Sequence, residues 1–65
     1  MPEVSDVVRV LKEEIERAKK AVADAEKLVK MGEDAGLDVA EQRMELESAK
    51  AELKRLEDAF KKHFG

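Results

Sequence analysis

Met31-Gly32-Glu33-Asp34-Ala35-Gly36-Leu37-Asp38-Val39-Ala40-Glu41 is the stretch that decides the fold. On either side of it a helical spacing of apolar residues runs without interruption, so this is where the chain turns. Gly32 follows Lys27, Lys30 and Met31, where the end of a helix favours a residue free to take positive φ. Asp38-Val39-Ala40-Glu41 then has the spacing of a capping box, with Asp in the place of Ser or Thr. The Asp38 carboxylate is expected to accept from the amide of Glu41, and Glu41 to reach back toward residue 38. The order of breaker, loop and cap predicts an all-α chain: a single antiparallel two-helix hairpin across residues 1–65. Its helices span about 3–31 and 38–63, joined by a turn over 32–37. The first helix starts either at Pro2 or with Ser5 as its N-cap, and the sequence leaves both open. Acids open each helix (Glu3 and Asp6, then Asp38 and Glu41) and bases close it (Lys27 and Lys30, then Lys61 and Lys62), as the helix dipole prefers.

Outward from the turn, Val4, Val8, Leu11, Ile15, Ala18, Val22, Ala25 and Val29 are spaced alternately four and three residues apart. That is a heptad repeat with Val8, Ile15, Val22 and Val29 at position a. Val39, Gln42, Leu46, Ala49, Leu53, Leu56, Phe60 and His63 continue it. A sustained repeat of this kind predicts a coiled-coil seam with left-handed supercoiling and knobs-into-holes packing. Folding the chain back near residue 35 sets Val29 opposite Gln42, Ala25 opposite Leu46, Val22 opposite Ala49 and Ala18 opposite Leu53. Ile15 with Leu56, Leu11 with Phe60 and Val8 with His63 follow. Three successive layers pair a small residue with a larger one, which fills space without voids.

The two flanks of this seam differ. At position e, Lys19 with Glu57, Glu26 with Lys50 and Glu33 with Arg43 form a diagonal of opposite charges that favours this register. At position g the first helix carries Val7, Ala21 and Leu28, interrupted by Glu14, and the second adds Ala59. Val10 and Phe64 are expected near this edge at one end. An apolar face of a, d and g is wider than one partner helix can cover and suits a bundle. Val7, Ala21, Leu28, Ala59 and Phe64 are therefore the candidate interface residues, and a homodimeric four-helix bundle is the expected assembly. A different helical protein is the alternative occupant of that face.

Composition points the same way. A chain of 65 residues buries little surface and gains only a few kcal/mol from a lone core. It has no cysteine and one histidine, so neither disulfides nor a metal cluster reinforces it, and no cofactor is expected. A partner chain is the remaining remedy. Charged residues are 45% and apolar residues 43% of the sequence, the usage of coiled coils and long helices. No apolar run approaches the roughly 18 residues of a membrane span, and no export signal is apparent, so a cytoplasmic location is expected. Asn, Thr and Cys are absent while Lys and Glu abound. Thermophile proteins share that usage, and so do helices in general, which disfavour Asn and Thr.

No constellation in the sequence has the form of a catalytic site, and an enzyme is not expected. His63 is the one side chain suited to proton transfer near neutral pH. It lies in the last turn at a d position, and Phe60 stands where a Glu-x-x-His metal motif needs its glutamate. Gln42 either specifies register from within the seam or is solvated near the loop. The carboxylates follow the solvent face with i,i+4 partners such as Glu13–Arg17, Glu16–Lys20, Glu26–Lys30 and Glu57–Lys61. Acids are mixed among the bases, so no basic stripe for nucleic acid stands out. The Phe60-Lys61-Lys62-His63-Phe64 end is too short a feature for membrane binding. The expected function is that of a non-enzymatic structural or interaction module, either self-associating or serving as an accessory subunit of a larger protein.

Overall fold

The computed structural model describes residues 4–64. They form two helices, α1 (Val4–Asp34) and α2 (Ala40–Phe64), folded back on each other as a hairpin. The molecule measures 50 × 17 × 16 Å and has a radius of gyration of 15.1 Å. A compact chain of this length would have a radius of about 11 Å.

The turn is built differently from the expectation in one respect. α1 continues through Gly32 to Asp34, three residues beyond the expected end at Met31. Gly36 is the residue with positive φ, at 75°. The amide of Leu37 donates to the carbonyl of Gly32 (2.9 Å), and the amide of Gly36 to that of Glu33 (3.0 Å). This pair of bonds is a Schellman motif with Gly36 at C′. Gly32 serves packing instead. It lies inside α1, and a Cβ built on it would clash with Val39 Cγ1. Its missing side chain lets the start of α2 approach α1 closely.

On the far side of the turn, the Asp38 carboxylate accepts from the amide of Ala40 at 3.0 Å, one residue earlier than expected. The amide of Arg43 donates to the carbonyl of Val39 at 2.9 Å, opening the bond ladder of α2. At the other end, Ser5 is already helical, so it does not cap α1. The alternative start at Pro2 lies outside the described residues. Because α1 runs to Asp34, Lys27 and Lys30 no longer fall in its last turn, which carries no base. Its acids instead stand beside the positive end of the α2 dipole, and Glu33 pairs with Arg43.

Burial follows the heptad. Ala18, Val29 and Val39 are buried. Val8, Leu11, Ile15, Val22 and Ala25 on α1, with Gln42, Leu46, Ala49, Leu53, Leu56 and Phe60 on α2, are half-buried. His63, the seam residue expected opposite Val8, is exposed. The register holds from end to end: Gly32 meets Val39 at the loop, and the Lys12 ammonium stands 6.0 Å from the Phe60 ring centre near the open end. Two helices can shelter only the stripe along which they face each other. Among the described residues no large side chain is fully enclosed.

Candidate interaction surface

The charged flank forms only in part as expected. Glu33 and Arg43 join across the helices. Lys19 turns to Glu16 on its own helix (3.6 Å), and Lys50 turns to Glu47 (3.8 Å). Two of the i,i+4 partners read from the sequence also give way to others: Arg17 binds Glu14, and Lys20 binds Asp24 at 3.1 Å. These pairs are exposed, and alternative partners on the same helix face differ by only tenths of a kcal/mol.

Phe64 belongs to this flank by its heptad position, on the rung opposite Lys12 where an acid would continue the diagonal. Its ring packs on Phe60, with centroids 5.4 Å apart and planes tilted by 39°. The lysine on that rung stands over the Phe60 ring in place of a carboxylate, an arrangement that still favours a cation. Phe64 thus stands apart from the other four interface candidates, on the opposite flank from the one the sequence reading gave it.

The g flank carries those four. Val7 (53% exposed) and Leu28 (54%) project from α1, with Ala21 between them, and Ala59 is exposed on α2. The heptad places Val10 and Met31 at position c, beside g on the outer side, and both are at least half exposed. Sequence reasoning noted Val10 and missed Met31. The signal was its spacing, three residues after Leu28 as Val10 is three after Val7. Two open hollows mark the ends of this edge. One is lined by Val7, Val10 and Leu11 with Asp6 and Glu14 at its rim, and is almost wholly apolar. The other lies at the loop, among Leu28, Met31, Leu37, Val39 and Gln42.

A polar belt separates them. Glu14 binds Arg17 on α1, and on the matching level of α2 Arg55 donates to Glu52 at 2.6 and 3.2 Å. The hydrogen bond and charge of Glu52 hold the Arg55 guanidinium even more firmly protonated than usual. Glu14 and Glu52 are thus each neutralised by an arginine three residues on.

Comparison with family models, with curated proteins and with solved structures finds no match for the chain. Among the described residues no helix is long and apolar enough to cross a membrane, and no group of three or more His, Cys, Asp or Glu side chains could hold a metal ion. Gln42 is half-buried at the rim of the loop hollow. No buried side-chain nitrogen or oxygen among the described residues lacks a hydrogen-bond partner. The surface offers apolar area and ion pairs.

Proposed function

We propose that the chain is a non-enzymatic interaction module, a coiled-coil hairpin that self-associates through the g flank of α1 into a four-helix bundle. The observation that carries this reading is its surface area. The chain exposes 5311 Å², while the scaling for compact monomers gives about 4,200 Å² at its 7.3 kDa mass. The excess of about 1,100 Å² exceeds the roughly 800 Å² that each partner buries in a standard stable interface. Exposed Val7, Val10, Leu28 and Met31 on one edge supply the apolar part.

Leu28→Glu tests the proposal. In a lone hairpin the new carboxylate is solvated and costs little, because Leu28 is half exposed and Glu is a good helix former. In the bundle it is desolvated without a partner, which costs several kcal/mol. Sedimentation of the wild type as a dimer and of the variant as a folded monomer is expected. A wild type that stays monomeric at millimolar concentration would refute self-association and leave the edge for a different helical protein.

A further inference from the structure

The outer edge of α1 reads, from the open end to the loop, Val7, Val10, Glu14, Arg17, Ala21, Asp24, Leu28, Met31. These alternate three and four residues apart, the spacing of a helix–helix seam. The order is self-complementary on reversal: two apolar residues at each end enclose a charged and small middle. From this we infer that two copies pack α1 against α1 in antiparallel fashion about a two-fold axis, the loop of each hairpin beside the open end of the other. The inference rests on self-association and specifies its geometry.

Antiparallel pairing of two such seams sets each g residue opposite a c residue, as the intrachain seam sets a opposite d. Val10 then meets Leu28 of the second copy, and Val7 meets its Met31. The two-fold axis repeats both contacts, as an isologous interface requires. Each hollow receives apolar side chains from the opposite end of its partner: Met31 enters the Val7–Val10–Leu11 hollow, and Val7 and Val10 approach the Leu28–Met31 side of the loop hollow.

The middle is equally suited to reversal. Glu14 and Asp24 would be opposed, but Arg17 and Lys20 already hold one each. Two acids and two bases per copy leave that belt neutral, and Arg17 falls over Ala21, whose small side chain leaves room for the guanidinium. Shifting the register by one heptad toward the loop puts Glu14 against Met31. The opposite shift puts Val7 against Asp24. Parallel packing would stack Arg17 on Arg17 as well as Glu14 on Glu14 and Asp24 on Asp24. The antiparallel register sets each arginine over an alanine and opposes only acids that already hold a base. Of the antiparallel registers, this one alone keeps all four apolar residues together.

Single cysteines read the geometry directly, because the native chain has none. Residues 10 and 28 lie about 27 Å apart along one helix, too far for a disulfide. Val10→Cys and Leu28→Cys proteins, each at an exposed site and each checked for helicity and dimer formation, are oxidised alone and as a mixture. A disulfide-linked heterodimer in the mixture, with at least tenfold less homodimer from either protein alone, is the expected result. Dimers that cross-link within each single variant would overturn the antiparallel register while leaving self-association standing. Dimers that do not cross-link in any combination would place the interface on another face. A wild type monomeric by sedimentation would remove the bundle itself, which separates that failure from the other two.

Discussion

Two glycines four residues apart do different work, and substitution separates them. Gly36 is needed for its backbone: φ is 75° and an added Cβ meets nothing within 4 Å. Gly36→Ala should cost about 1 kcal/mol, the penalty of the left-handed region for a residue with a side chain. Gly32 is helical, so alanine there gains about 1 kcal/mol of propensity. It also drives a methyl group into buried Val39, at a cost of about 1–3 kcal/mol. Gly32→Ala should therefore be neutral to destabilising by about 2 kcal/mol, and Val39→Ala in the same chain should recover part of the loss through coupling. Val39→Ala should do nothing for Gly36→Ala. Chemical denaturation of the three single and two double variants measures both statements, and equal recovery in both backgrounds would show that the roles have been misassigned. The sequence reading placed the cap at Gly32 because a glycine chosen for positive φ and one chosen for close approach are the same letter. Only the second helix, standing against Gly32, tells them apart.

At the scale of the helix, the seam was legible because burial on a helix is set by angle, and angle is set by spacing. Every seam position from Val8 to Phe60 is at least half-buried, as the uninterrupted alternation of four and three requires. Ion-pair partners were not legible. Glu13 and Glu14 compete for Arg17, and Glu16 and Asp24 for Lys20, and the energies that choose are smaller than about 1 kcal/mol. Met31 went unnoticed because the heptad was read one stripe at a time, while an outer edge draws on two. The seam itself makes a quantitative prediction. Leu53→Ala should lower stability by about 2 kcal/mol, the low end of the range for buried leucine, because Leu53 is only half-buried in the hairpin. Lys20→Ala, on the exposed face, should stay within about 0.5 kcal/mol of the wild type. Matching shifts in the denaturation midpoint for the two would mean that the buried stripe runs elsewhere.

For the whole molecule, the long axis of 50 Å with the turn at one end also orders events in time. Gly32 and Val39 are seven residues apart when they meet, whereas Lys12 and Phe60 are forty-eight apart. Closing the longer loop first would cost about 1.7 kcal/mol more chain entropy than closing the shorter. The Schellman bonds and the Asp38 cap hold the two helix ends together before any distant layer forms. Docking then advances from the turn, each layer shortening the loop that the next must close. Substitutions should register accordingly in kinetics: Val39→Ala should slow folding, while Leu11→Ala, near the open end, should chiefly hasten unfolding. Stopped-flow rates across a series from Val39 to Leu11 should show φ-values falling with distance from the turn. A flat profile would mean that the layers dock together. If the gradient holds, the open end is the first part of the hairpin to part on unfolding and the last to form.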